Sequence, residues 1–593
     1  MEVLSKDVVG MLYGRVAAAY GGGASAREAF AELRAVFDFA ISEMLQGDVR
    51  TFSSQYSRWV YLCSKTGAPA DLRSAVLAFL RRAAGFPEKT EVDRPEVAVA
   101  AATLLFILQG FSGERPWEDV LRALLDEGAR YKGVVTDTGA EAGEVLSGVV
   151  TDFSEIKQED GKRYFVLYLL PGDAYDGPEE NIQVTVREAY VGGLLRGDLM
   201  RTRDLLRPFC MVNITEVEAG SSSGLFHTSS SSLIVIEPDY LVDVTDIASC
   251  FASDRANPNM FLLSKFSPDR DSEAMFKGTL INDLLDAYLK DEETDPVEVF
   301  RKALSKNLLK AARYGGQAVK RIWDSVLAEH GKNIAAFAGS LRGQRVTVEP
   351  SFISALYGIQ GRLDVLTEYP DDPLLKNIYE LKSGKAPSGT MLWRANQIQV
   401  ACYDMLLSSV YGPQRRGTSA LFYSSAAANP LRNFLSSRSD RELIIALRNE
   451  IIALVYRLAE EDYAPLADLL PERFGEYPPY VETALRDYAA FYKGLSGLKR
   501  KYYQAFLSFS LREMIAAKTG AYTRPGRENA SGGYASLWKD SDARKRENFA
   551  LIDNLSFDWF DKREHLLYFT IREPVEHTFR PGDTAKIKNI SRR

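Results

Sequence analysis

"GRLDVLTEYPDDPLLKNIYELKSGK", residues Gly361 to Lys385, decides how the rest of the chain is read. Two short apolar runs flank the turn-forming "YPDDP", so the stretch reads as a β-hairpin. Yet Asp364 falls on the first predicted strand, and Glu380 and Lys382 fall on the second, among Leu363, Val365, Ile378 and Leu381. Residues two apart on a strand face the same side, so Glu380 and Lys382 point together while Leu381 enters the opposite layer. Asp364 precedes Glu380 by sixteen positions, a separation the turn can close. Two carboxylates in an apolar hairpin repel each other and would protonate unless something compensates them. A divalent cation does so. Asp364, Glu380 and the backbone carbonyl of Leu381 are hard oxygen ligands suited to Mg²⁺ or Mn²⁺. Lys382 would then orient a water and stabilise charge developing on a phosphate. A structural salt bridge from Asp364 to Arg362 or Lys382 is the plainer alternative, though buried charge clusters are costly without a purpose.

The surroundings narrow the class. A chain of 593 residues exceeds what one core can bury, so three to five domains are expected. Its 46% hydrophobic and 26% charged shares are those of an ordinary soluble globular protein. With a net charge of −7, a nucleic-acid partner would need a local basic surface. The four cysteines, Cys63, Cys210, Cys250 and Cys402, are far apart and form no CxxC pair, which supports neither a zinc ribbon nor a disulfide framework. The N-terminus lacks the charged start and compact apolar run of a signal peptide. The most apolar run, Val97 to Leu108, is too short to span a bilayer and reads as a buried helix. A cytoplasmic, nucleoid-associated protein with no membrane partner is expected.

Along the chain, residues 1–134 show helical periodicity. From Glu144 the period changes to two, with strands separated by Gly, Asp and Pro turns and a helical interruption near 191–206, which suggests a small OB-like β-barrel over 135–241. The formal G-x-S-x-G at Gly220–Gly224 sits in a serine-rich loop instead of between a buried strand and a helix, so it is no nucleophile elbow. Residues 242–440 alternate helices and strands around the hairpin, 441–555 are again helical, and 556–593 return to strands, like the start of a second barrel. No G-x-x-x-x-G-K-[ST] occurs, so no P-loop motor is visible. The fold class is multidomain α/β, with a mixed sheet core flanked by helices.

Downstream of the hairpin, "NQIQVACY" holds Gln399 and Tyr403 at i and i+4, on one helix face. Together with Asp364 and Glu380-x-Lys382, this resembles the PD-(D/E)XK nuclease superfamily in its RecB-like branch, with a restriction-endonuclease-like core. Upstream, "PDYLVDVTDIASCFASDRANPNMFLLSKF" and "SEAMFKGTLINDLL" resemble the opening of that branch's nuclease domain. The nearest resemblance is to the nuclease half of the replication-and-repair nuclease–helicases that trim Okazaki flaps and resect DNA ends, over roughly residues 200 to 590. CRISPR-associated RecB-like exonucleases are more distant. The resemblance implies metal-dependent hydrolysis of phosphodiester bonds in single-stranded DNA, ends or flaps. Asp364 and Glu380 would hold the metal, Lys382 would serve the water and the transition state, and Gln399 and Tyr403 would position the scissile strand. Arg394, just ahead of the helix, is a candidate phosphate contact, with a solvated arginine as the alternative. A helicase motor is implied either in a longer chain, which the terminal "FRPGD" favours, or as a separate partner.

Two departures matter. Relatives often hold an iron–sulfur cluster through one cysteine before the core and three after it. Here the first position falls near Ser253, with Cys250 only nearby, and no cysteine follows Cys402, so no cluster is expected. Where relatives place a metal-binding histidine, this chain has Asn282, a weaker ligand. His227, His330, His565 and His577 are isolated and read as non-catalytic. Two other functions stay open: a DNA-binding scaffold with weak or no cleavage, and a nuclease acting in phage defence.

Overall fold

The computed structural model describes residues 4–21, 23, 25–85, 93–129, 145–159, 161–171, 182–191, 194–196, 199–251, 254–267, 272–290, 295–369, 371–412, 414–475, 477–520, 533–539, 545–546, 548–561, 566–580, 585 and 587. Ser253, His565 and residues 581–583 of "FRPGD" lie outside them. The chain divides into two compact units. One comprises Met1–Tyr240, Val455–Glu461 and Ala505–Arg593, and the other Leu241–Leu454 and Asp462–Gln504. The architecture is mixed α/β in several layers, as the change of period along the chain predicts.

In the first unit, helices Lys6–Gly21, Ala26–Met44, Gln55–Thr66, Ala70–Gly85, Arg94–Ser112 and Glu118–Gly128 close around one core. Local sequence sets their ends. Ser25 and Glu28 form a reciprocal capping box, Ser54 and Asp93 accept first-turn amides, and Gly67 and Gly113 take left-handed positions after the last turns. Phe37 packs between Trp59 at 4.1 Å and Phe79 at 4.4 Å. The apolar run at 97–108 belongs to a longer helix than its composition suggests. Arg94–Ser112 has 19 residues and by length and composition could cross a membrane. Here it is buried along much of its length, through Val97, Ala101, Leu104 and Leu108.

After these helices, eight strands form a sheet whose main path runs Ile234–Ile236, Met211–Thr215, Val145–Phe153, Lys162–Pro171, Ile182–Arg187, Leu225–Thr228, Val217–Ala219. Its pairs are antiparallel except Ile182–Arg187 with Leu225–Thr228. The expected helical interruption is the short helix Leu199–Leu205, preceded by a separate strand pair, Ala189–Val191 with Leu194–Arg196. Near the C-terminus, Leu555–Asp561 and Leu566–Ile571 pair antiparallel.

The second unit holds the hairpin. Its five-stranded sheet runs Arg345–Val348, Val365–Tyr369, Asp372–Lys382, Ser419–Tyr423, Leu431–Phe434. Asp372–Lys382 and Ser419–Tyr423 are parallel, joined through helix Arg394–Tyr411. On one face Tyr379, Leu381, Ala420 and Phe422 share a core with helices Glu273–Lys290, Gly316–Val326 and Lys332–Ser340. On the other, Leu421 and Tyr423 meet Val400 of Arg394–Tyr411. Alternation along Asp372–Lys382 thus turns Glu380 and Lys382 toward Arg394–Tyr411.

Candidate active site

The expectation that Asp364 lies on a strand needs correction. Strand Ile359–Arg362 belongs to a three-stranded sheet with Val242–Asp243 and Ser351–Ser354, whereas Val365–Tyr369 belongs to the five-stranded sheet. Leu363 and Asp364 form the break where the chain changes sheets. The hairpin register pairs Val365 with Tyr379 and Leu366 with Ile378, so the next residues outward are Asp364 and Glu380. Freed from the ladder, the Asp364 carboxylate accepts the Leu381 amide at 2.7 Å. The carboxylates meet because the strand stops one residue early.

Glu380, Lys382, Gln399 and Tyr403 are hydrogen-bonded into one cluster. Lys382 Nζ donates to Glu380 Oε1 at 3.0 Å and to Gln399 Oε1 at 2.7 Å. Gln399 Nε2 donates to Glu380 Oε1 at 2.6 Å and to the Tyr403 hydroxyl at 3.1 Å. Tyr403 donates onward to the Arg362 carbonyl at 2.9 Å, which ties the helix to the strand that leads into Asp364. Gly361 makes room for this. A Cβ there would lie 2.9 Å from Tyr403 Cε1 and 2.8 Å from Val244 Cγ2. The alternative pairing of Asp364 with Arg362 or Lys382 is not what forms, since Arg362 pairs with Glu349 at 3.1 Å and Lys382 with Glu380.

Burial dominates the electrostatics. Desolvation, then the neighbouring Glu380 charge, pushes Asp364 from an ordinary 3.8 up to about 8. Burial also raises Glu380, against the pull of Lys382. Tyr403 is raised by burial and by Glu380. Glu380 Oε2 is buried with no hydrogen-bond partner. A buried carboxylate oxygen that takes no bond from Lys382 or Gln399 and adjoins a second carboxyl that favours its proton is part of a donor set a hard divalent cation fits. Among the described residues no group of three His, Cys, Asp or Glu side chains could share a metal. Two carboxylates would therefore have to be completed by other oxygens, such as backbone carbonyl or water.

The other sequence candidates are not hydrogen-bonded into the cluster. Asn282 is an exposed residue of Glu273–Lys290, with no hydrogen bond to the cluster among the described residues. Arg394 is engaged by Asp440, to which it donates at 2.7 Å, and by Gln397 at 3.1 Å. Cys250 and Cys402 are buried free thiols. His330 is buried, and its Nδ1 lies 2.9 Å from Ser424 Oγ. Ser424 in turn donates its amide to the Lys382 carbonyl at 3.1 Å. Sequence reading missed Ser424 and Gly361. Gly361 opens the quoted stretch, and its lack of a side chain beside a charged strand is the one signal that pointed to a close approach.

Against known proteins, the sequence model of the family described as DNA replication factor Dna2 matches residues 195–341, well under half of the chain. The matched segment contains Asn282 and stops short of Asp364, Glu380, Lys382, Gln399 and Tyr403. It supports the replication-and-repair resemblance over the approach to the core. Among solved structures, one titled "Crystal structure of SSO0001" matches at 16% identity, over 34% of this chain and 97% of that chain, with a TM-score of 0.17. A superposition that loose says nothing about the fold. No curated protein matches the chain.

Proposed function

We propose that the chain is a metal-dependent deoxyribonuclease of PD-(D/E)XK type, RecB-like branch, hydrolysing phosphodiester bonds of single-stranded DNA, DNA ends or flaps. The observation that carries this reading is the cluster Asp364, Glu380, Lys382, Gln399 and Tyr403, with a buried, unpartnered Glu380 oxygen at its centre. The family match supports a replication-and-repair setting, and with it an intracellular location. We read residues 135–241 as an OB-like barrel, 242–440 as the nuclease core, 441–555 as its helical continuation and 556–593 as leading toward a helicase motor, fused or separate.

Asp364 and Glu380, with the Leu381 carbonyl and Asn282 as a further candidate oxygen, would hold Mg²⁺ or Mn²⁺, which when bound supplies positive charge at the phosphate and a more acidic water. Lys382 is aimed by its bonds to Glu380 and Gln399, so that its Nζ would face charge building on the phosphate during attack. Gln399 holds Glu380 and Lys382 together, and Tyr403 fixes Gln399 against the Arg362 carbonyl. Arg394 is held by Asp440 and Gln397, so a phosphate would have to take its remaining N–H groups. These contacts read phosphate and metal, which carry no base sequence.

End-labelled single-stranded DNA with Mg²⁺ or Mn²⁺ tests the reading. Lys382→Ala and Glu380→Ala are expected to lower metal-dependent cleavage by about 10²-fold or more while remaining folded. Native protein that binds DNA but leaves it whole with either metal would favour the scaffold. Variants that cut as native does would refute the site.

A further inference from the structure

We propose that Trp393 is a stacking platform for an unpaired base of single-stranded nucleic acid arriving at the cluster, an inference whose ligand class rests on the nuclease reading above. The loop from Ser383 to Trp393 leaves the strand directly after Lys382 and delivers the chain to the helix that carries Gln399. In that loop Leu392 and Ala386 pack inward against Val400, Leu421 and Tyr423, while Met391 and Trp393 are 65% and 52% exposed. An indole left half in water forgoes a large apolar burial, and no other ring meets it among the described residues.

The ring is nonetheless held. Its Nε1 donates to the Lys385 carbonyl at 3.0 Å, and its backbone amide reaches the Tyr423 hydroxyl at 3.4 Å. Buried Arg432 braces the same loop, donating to the carbonyls of Pro387 at 3.0 Å and Met391 at 2.5 Å and lying over the Tyr423 ring at 4.9 Å. Tyr423 is the register partner of Lys382, so the brace and the cluster share a strand pair. The indole's polar atom is thus spent on aiming the ring, and its flat face is left for a flat apolar partner.

Charge selects the partner. The loop from Ser383 to Trp393 carries Lys385 and no carboxylate, in a protein of net charge −7, while the next residue, Arg394, is paired with Asp440. Lys385, whose carbonyl takes the indole N–H, is itself exposed. An exposed aromatic face next to an exposed cation is the pairing that holds a base and its phosphate. In a duplex the bases already stack on one another, so the platform favours single strands.

The test is equilibrium binding of a fluorescein-labelled oligothymidylate in EDTA, where no turnover can occur, to native protein and to Trp393→Ala, Trp393→Phe and Lys385→Ala. Trp393→Ala is expected to weaken binding about tenfold with an unchanged salt slope, and Trp393→Phe to recover most of the loss. Lys385→Ala should flatten the log–log salt slope by about 0.7. A duplex of the same length should respond to Trp393→Ala by less than twofold. Equal binding by Trp393→Ala and native protein, equal losses for single strand and duplex, or no binding by native protein would each overturn the platform. Cleavage with metal is scored separately. Protein that binds through Trp393 yet never cuts would sink the nuclease reading alone, and protein that cuts while its binding ignores Trp393→Ala would sink the platform alone.

Discussion

Asp364 is a carboxyl held where water is scarce, next to a second carboxyl, at the point where the chain leaves one sheet for another. Burial, then Glu380, pushes its folded-state pKa up to about 8 from an ordinary 3.8. In metal-free protein, between those values, the folded state keeps a proton that the unfolded state has released. Stability therefore falls as pH rises through that window. Asp364→Asn keeps the shape and an acceptor for the Leu381 amide but removes the acid. In EDTA at pH 8 the variant should be more stable than native by on the order of 2 kcal/mol, less than the full shift implies because Asp364 keeps some contact with water. The gap should close toward pH 4, and Mg²⁺ should raise the melting temperature of native protein more than that of the variant. Thermal melts at three pH values, with and without Mg²⁺, check this. A variant less stable than native at pH 8 would mean that Asp364 is held ionised, as in a structural salt bridge.

At the scale of elements, the helix behind the sheet opens into a π-turn at Leu327–Gly331 before continuing as Lys332–Ser340. That turn sets His330 against Ser424, and Asn333 donates to the carbonyls of Ser424 and Ala426, both at 2.9 Å. The strand end that carries the Lys382 carbonyl is thus clamped from the opposite face. Burial, then Lys277, lowers the His330 pKa, and its Nε2 is buried without a hydrogen bond. Below about pH 6.5 the unfolded state binds a proton that the folded state resists, so this contribution to stability is lost as pH falls. His330→Phe should cost about 1–3 kcal/mol at pH 8 and flatten the native loss on the acid side, so the two proteins converge near pH 5. Urea midpoints at both pH values decide it, and an identical gap at each would show that His330 protonation is not linked to folding. Periodicity made Glu380 with Lys382, and Gln399 with Tyr403, legible in sequence, because spacings of two and four fix a face. It could not show His330 meeting Ser424 across 94 positions, or Arg394 taken by Asp440 across 46. Those pairings are set by how strands and helices return on themselves, which local pattern does not encode.

At the scale of the whole molecule, the unit built on the N-terminal helices also takes in Val455–Glu461 and everything after Gln504. Runs of helix and strand were readable along the chain, but this grouping was not, because it depends on side chains hundreds of positions apart. One ion cluster within that unit shows how. Arg207 donates to Glu237 at 2.7 Å and to Glu460 at 2.6 Å, and it stacks over the Tyr456 ring at 4.1 Å. Glu460 also accepts the Thr51 amide at 3.1 Å, and Ser53 donates to Glu237. Glu237 is fully buried, and the guanidinium and the Ser53 hydroxyl beside it compensate its charge. Removing one partner of a buried pair leaves the other uncompensated, whereas removing the whole set can be nearly neutral. Arg207→Leu should therefore destabilise this unit by about 3–5 kcal/mol, a loss that also neutralising Glu237 and Glu460 as Gln should largely reverse. Urea unfolding of the single and triple variants, followed by hydrogen exchange of the Gln55–Thr66 helix, reads the effect where it belongs. If Arg207→Leu unfolds at the native midpoint, the cluster is solvated and does not hold Val455–Glu461 to Met1–Tyr240. If the triple variant is no better than the single, the loss lies in the packing of Arg207 over Tyr456 and not in its charge.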